Sequence, residues 1–192
     1  MLLQEKLKSW KLVLASKSPR RQQLLKGLDV DFEIRTKEIE EVYPAELKGP
    51  EVAEYLSRLK AAAFSPAPNE IIITSDTIVV QGDTILEKAA DRNEAVQMLQ
   101  QLSGRQHTVY TAVCLRSAEK TISFVDATIV HFRTLEKEEI DYYIDTYQPY
   151  DKAGAYGAQE WIGYIAVEKL EGSYFSVMGL PLHRLHKELL LF

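Results

Sequence analysis

Cysteine is nearly absent from this 192-residue chain. Cys114 stands alone, so an intrachain disulfide and a cysteine-built metal cage are both excluded, and such usage suits a reducing compartment. Long apolar runs are missing as well. No stretch approaches the roughly 18 residues that a membrane span needs, and the opening MLLQEKLKSWKLVLAS lacks the apolar centre of a secretory signal. The expectation is a cytoplasmic, soluble protein with no membrane partner. There is no basic excess: 23 Lys and Arg against 28 Asp and Glu leave a formal charge of −5. That argues against nucleic acid as a partner held by bulk electrostatics, so an anionic ligand has to be met by a local cationic cluster. Repeats, low-complexity tracts and linkers are absent, and the 9 glycines and 7 prolines are scattered. One domain over residues 1–192, large enough to bury a real core, is expected. Neither a Walker phosphate loop nor a Gly-x-Ser-x-Gly elbow occurs.

What is present is an alternation of strand and helix patterns. Leu12 to Ala15 reads as a short buried strand, followed by Ser18 as a helix N-cap and Pro19 in the first helical position. Val30, Phe32 and Ile34 alternate with charged residues, and Thr36 to Gly49 is a polar loop. Pro50 opens a second helix with Val52, Leu56, Leu59 and Ala63 on one face. The run Ile71 to Val80 is the strongest buried-strand signal in the chain, and Gly82-Asp83 marks a hairpin. Asp91 and Glu94 form a variant capping box for a helix through Ala95, Met98, Leu99 and Leu102. Strands near 107–116 and 121–133 are joined by Ser117 to Lys120 as an antiparallel pair. Ile140, Tyr143, Ile144 and Tyr147 have helical spacing, Tyr164 to Leu170 reads as a strand, and Pro181 opens a last helix. The class is α/β with a mixed sheet and flanking helices.

Four constellations could carry chemistry. Ser16-Lys17-Ser18-Pro19-Arg20-Arg21 puts hydroxyls and cations at a helix N-terminus, where free N–H groups and the helix dipole favour phosphate and arginine can bind it in bidentate fashion. The competing reading is a capped helix with a solvated first turn, but cations there oppose the dipole. Asp76, a carboxylate at the end of an apolar strand, can activate water or hold a metal, or simply make turn hydrogen bonds. Glu40 and Glu41 offer hard oxygens suited to Mg²⁺ or Mn²⁺, against the plainer reading of a solvated acidic loop. Lys60 and Lys88, taken singly, read as surface lysines. Asp151 to Gln159 combines small residues that admit close backbone approach with a carboxylate, a cation and an amide able to pair with a base edge. A tight turn under a packed tyrosine explains the same composition. His183 and His186 read as surface residues, and Cys114 as core.

Together, Leu14 to Arg21, Ser75 to Val79, Leu102 to Arg105, Asp151 to Gly157 and Gly179 to Leu182 run in the order of the Maf family of nucleoside triphosphate pyrophosphatases, which the chain resembles over nearly its whole length. The resemblance implies a fold related to the inosine triphosphatase-like enzymes, with two lobes around a central cleft and often a homodimer. It implies hydrolysis of a nucleoside triphosphate to monophosphate and pyrophosphate with a divalent metal cation, Mg²⁺ or Mn²⁺. Carried over position by position, the phosphate loop falls on Ser16, Ser18, Arg20 and Arg21, the general base on Asp76, the loop acid on Glu41 with Glu40 as neighbour, and the two lysines on Lys60 and Lys88. Metal ligands fall on Glu41, Asp76 and Asp151. Arg20, Thr77 and Gln159 match the specificity set of the subgroup acting on dTTP and UTP. The family is also linked to restraint of cell division, so a nucleotide-binding regulator with incidental hydrolysis is the alternative. Departures from the family pattern are Ala89, where proline is frequent, Gln148, where Glu is frequent, and Glu160, where Gly is common.

Overall fold

The computed structural model describes residues 2–192. Helix α1 (Leu3–Lys6) leads into strand β1 (Lys11–Leu14), whose Leu12, Val13 and Leu14 are buried. Helix α2 (Pro19–Lys26), strand β2 (Phe32–Ile34), helix α3 (Pro50–Ala62) and strand β3 (Glu70–Gln81) follow. Then come β4 (Thr84–Leu86), α4 (Arg92–Leu102), β5 (Gln106–Arg116), β6 (Thr121–Phe132), α5 (Lys137–Tyr147), α6 (Trp161–Ala166), β7 (Val167–Glu171), α7 (Tyr174–Val177) and α8 (Leu182–Leu191). The strands hydrogen-bond in the order β2-β1-β3-β5-β6-β7, with β4 on β3 outside that path. β1 runs parallel to β2 and β3, whereas β3/β4 and β6/β7 are antiparallel. The sheet is therefore mixed, as the strand patterns imply. Parallel neighbours need a crossover, and α2 provides it between β1 and β2.

The chain divides into two compact units. The first takes residues up to Asp76 with Thr111–Asp126 and Gly179–Phe192. Val13 and Ile72 are fully buried there and pack with Phe64. Helix α3 turns Val52, Ala53, Leu56, Ser57 and Ala61 inward, a face rotated slightly from the expected Val52-Leu56-Leu59-Ala63 stripe. The second unit takes Thr77–Tyr110 and Ala127–Met178. Its core joins Leu99 and Leu102 of α4, Val109 of β5, Val130 and Phe132 of β6, Tyr143 and Ile144 of α5 and Ile162 of α6.

Local signals explain most boundaries. Ser18 caps α2 by accepting from the Arg21 N–H at 3.5 Å, with Pro19 next to it. Asp91 Oδ1 accepts from Glu94 N at 2.9 Å, and Glu94 Oε2 accepts from Ala90 N at 2.7 Å. The box thus closes one residue before the cap. Ser117 accepts from Glu119 N and Lys120 N, forming the turn between β5 and β6.

The expected strand over Tyr164 to Leu170 is wrong in its first half. Residues 161–166 are helical, and only Val167–Glu171 is strand. A short apolar run cannot be assigned by periodicity alone. Within the helix Gly163 lies so close to the Ala158 carbonyl that a Cβ would stand 2.0 Å from that oxygen. Helices α1 and α7, four residues each, are too short to leave a pattern in the sequence. Among the described residues no helix is long and apolar enough to cross a membrane.

Where β1 and β3 begin, the buried Glu70 receives a forked pair of hydrogen bonds from Arg35, at 2.8 and 3.1 Å, and one from Ala67 N at 3.1 Å. The Arg35 bonds, then that of Ala67, hold its carboxyl down at about 2. A carboxyl whose folded pKa is depressed contributes stability above its unfolded pKa, and that stability is lost as pH falls toward the folded value. Glu70→Gln is therefore expected to cost on the order of 2–3 kcal/mol at pH 7, with the difference from the parent shrinking between about pH 4.5 and 2. Urea unfolding at several pH values measures it, and a pH-independent difference would refute the ion pair.

Candidate active site

Register on β3 and α3 builds the centre of the first unit. Successive residues of a strand point to opposite faces, so Thr74 and Asp76 share one face of β3. Ser57 and Lys60, three apart, share one face of α3. Thr74 Oγ1 donates to the Ser57 carbonyl at 2.6 Å, which locks helix to strand. The same docking places Lys60 Nζ 2.5 Å from Asp76 Oδ1. Glu41, from the loop between β2 and α3, brings Oε1 to 3.0 Å from the same ammonium. Asp76 and Lys60 are enclosed, their side chains 9% and 14% exposed, whereas that of Glu41 is 44% exposed. Asp76 lies in the middle of β3 rather than at a strand end, as its sequence context suggested.

Arg21 approaches Asp76 from α2. Its Nε donates to the Gly179 carbonyl and its Nη1 to the Ser75 carbonyl, both at 2.9 Å. Ser75 Oγ donates to the same Gly179 oxygen at 3.0 Å. Gly179 sits at φ +106°, a conformation that side chains other than glycine rarely adopt, so the turn before α8 presents its carbonyl inward. Burial lowers the Arg21 pKa, and the charge of Asp76 opposes that most strongly. Burial likewise raises the Asp76 carboxyl above the ordinary range, although Lys60 and Arg21 pull it down. Asp76 is therefore more basic than an exposed aspartate, as a proton acceptor should be.

The phosphate-loop candidates surround α2's start. Ser16 is buried, with Oγ accepting from Ser18 N at 3.2 Å. Ser18 is the cap, Arg20 is half-buried, and Lys17 reaches out to Glu38. Of the two loop acids, Glu41 is the one that reaches Lys60, and Glu40 is exposed. Ser16, Ser18, Arg20, Arg21, Glu41, Lys60 and Asp76 thus all fall within the first unit.

Thr77, Lys88, Asp151 and Gln159 fall within the second. Lys88, exposed, bridges to Ala153 beside Gly154, whose N–H donates to the Leu86 and Glu87 carbonyls at 3.1 and 3.0 Å. A Cβ on Gly154 would press on Val79 at 3.2 Å, and its φ of +68° strains any other residue, so glycine suits the stitch best. Asp151 is exposed and pairs with Lys152, whose buried ammonium also meets Glu160. Ser75, Gly179 and Glu160 received no site role from sequence, and Lys152, offered there as a ligand-facing cation, is instead paired within the protein. The trace they left was polarity inside otherwise buried stretches: Ser75 in an isoleucine-rich strand, Lys152 in a small-residue loop.

Among the described residues no three His, Cys, Asp or Glu side chains gather as a ready metal cage. Glu41 and Asp76, however, direct carboxylate oxygens at one shared cation, the Lys60 ammonium. Mg²⁺ is commonly held by one or two carboxylates plus substrate phosphates and water, so this pair fits a hard divalent ion.

Removing the ammonium tests the arrangement. Lys60→Met leaves the Asp76 carboxylate enclosed without its contacting cation and with only Arg21 to offset it, at a cost of up to about 3–5 kcal/mol while it stays charged. The group escapes by holding its proton. Since the folded pKa then lies further above the unfolded one, stability falls as pH rises through that window. Melting temperatures of Lys60→Met should drop from pH 4 to pH 8 more steeply than those of the parent, and Asp76→Asn in the same background should remove the excess slope. Parallel profiles would overturn the pairing.

A family model described as "Maf-like protein" matches residues 11–192. A Parabacteroides distasonis protein curated as "dTTP/UTP pyrophosphatase" is 50% identical over 188 residues, covering 96% of this chain and 97% of its own. A Flavobacterium johnsoniae protein of the same name is 50% identical over 190 residues, covering 98% of both. Among solved structures, the Staphylococcus aureus Ham1 protein shares the fold, with a TM-score of 0.53 at 14% identity over 93% of this chain and 97% of that one.

Proposed function

The chain belongs to the Maf family, and from that premise we propose that it hydrolyses dTTP and UTP to the monophosphate and pyrophosphate. The observation that carries the reading is the Lys60 ammonium held by the Asp76 and Glu41 carboxylates beside Arg21, in a chain half identical to proteins curated under that activity. Phosphoryl chemistry depends on positioning and charge neutralisation more than on covalent steps, and this centre supplies both signs of charge in an enclosed setting.

The triphosphate is met near the start of α2 by Ser16, Ser18 and Arg20 as donors and by Lys60 as a cation, and the family resemblance adds Lys88. Arg21, committed to the Ser75 and Gly179 carbonyls, holds β3 and adds positive potential. Asp76 accepts a proton from a water that attacks the α-phosphorus. The bond from that phosphorus to the bridging oxygen breaks, and pyrophosphate leaves with the electron pair. Glu41 and Asp76 would hold a Mg²⁺ or Mn²⁺ ion, which when bound neutralises phosphate oxygens. Asp151 joins the acid set on the family resemblance. Gln159 offers an amide donor and acceptor to the edge of a pyrimidine, with Arg20 and Thr77 completing the specificity set. A site built to pair with a base discriminates because mismatched partners leave its polar groups unsatisfied.

The decisive experiment is a panel of dTTP, UTP, CTP, dATP and GTP with Mg²⁺ or Mn²⁺, assaying pyrophosphate and orthophosphate separately. Pyrophosphate from dTTP and UTP well ahead of the purines is expected. Nucleotide binding without pyrophosphate release would favour a regulator instead. Asp76→Asn should lower kcat by roughly 10²–10⁴. Near-parental turnover in a folded Asp76→Asn protein would defeat the assignment.

A further inference from the structure

Gln159 lies beside a polar cluster whose Tyr143, Lys152 and Glu160 none of the roles above employs. Tyr143 of α5 is fully buried, and its hydroxyl donates to Glu160 Oε2 while accepting from the Gly157 N–H at 3.0 Å. The other oxygen of Glu160 stands 3.1 Å from Lys152 Nζ, which is also 2.7 Å from Asp151 Oδ1. The hydroxyl thus ties α5 at once to the backbone before Gln159 and to the side chain after it. Gly157 is the pivot. A Cβ there would lie 2.9 Å from Gln159 Nε2 and 2.8 Å from Glu160 Cδ, so the Gln159 amide and the Glu160 carboxylate both rest against the bare face of residue 157.

We infer that Tyr143 and Glu160 are positioning residues that fix the orientation of the Gln159 carboxamide and so set the preference for thymine and uracil. The inference rests on the base-reading role given to Gln159 under the proposed function. Four contacts run in series to the backbone against which that amide rests. The phenol fixes the 157 backbone, Glu160 fixes the phenol, Lys152 fixes Glu160, and Asp151 fixes Lys152. The Gln159 amide lies over the one residue that the phenol clamps. A phenol in this position is kept protonated, its pKa raised by burial and then by Glu160, and remains a donor throughout the working range of pH. Discrimination by hydrogen bonds to a base requires that donor and acceptor be held in a fixed direction, since a freely turning amide can pair with cytosine as readily as with uracil.

A double-mutant cycle tests this. Tyr143→Phe removes one oxygen and keeps the ring in the core. It should lower the ratio of kcat/KM for dTTP over CTP by about tenfold, mainly through KM for dTTP, and leave kcat for dTTP close to that of the parent. Glu160→Ala should reproduce the loss, and Glu160→Gln, which keeps an acceptor for the phenol, should restore most of the discrimination. Gln159→Ala should lower the ratio at least as far, and adding Tyr143→Phe to it should change the ratio no further. A Tyr143→Phe protein that loses activity equally on both substrates, or that lowers the ratio again in the Gln159→Ala background, overturns the positioning role and leaves Gln159 as the reader. A Gln159→Ala protein with undiminished discrimination overturns the role of Gln159, and this inference with it.

Discussion

A lysine ammonium enclosed between two carboxylates is the contact on which the first unit's chemistry turns. Taking charge out of water is costly, and Asp76 tolerates enclosure only because Lys60 touches it and Arg21 stands nearby. The cost has a chemical consequence. Burial moves the Asp76 carboxyl upward while the cations restrain it, leaving an aspartate more basic than its solvated counterpart. The Thr74–Ser57 bond makes this reproducible, because it fixes the register of α3 on β3 and with it the placement of Lys60 against Asp76.

Arg21 differs from what its first-turn position suggests. A cation at a helix N-terminus is disfavoured by the dipole, and the structure resolves the conflict by turning the guanidinium onto two backbone carbonyls, those of Ser75 and Gly179. It thereby joins segments more than a hundred residues apart in sequence around the strand that carries Asp76. Recruiting a cation for structure also places positive potential beside the carboxylate, so the two roles coincide in one side chain.

The second unit shows the same economy in a different form. Its small-residue loop is not loose. Gly154 is stitched to the segment that carries Lys88, and Gly157 is clamped by the Tyr143 hydroxyl. Lys152, which its composition offered as a ligand-binding cation, is buried between Asp151 and Glu160. The glycines are there for close packing against Val79 and against the Gln159 and Glu160 side chains.

The α/β class, the capped start of α2 and the buried strand over Ile71 to Val80 were legible from local pattern, because capping, β-branched runs and turn residues act over a few positions. Local pattern left Glu41, Lys60 and Asp76 open between solvated and functional readings, and the order of the family's motifs is what singled out Ser16, Ser18, Arg20, Arg21, Glu41, Lys60 and Asp76 as candidates. Folding alone decided what depends on distance between remote residues: that Glu41 and not Glu40 reaches Lys60, and that Arg21 is anchored by Ser75 and Gly179. Side-chain partners across long sequence separations leave no periodic trace, since they are set by how helices and strands dock, and docking is a property of the packed chain as a whole.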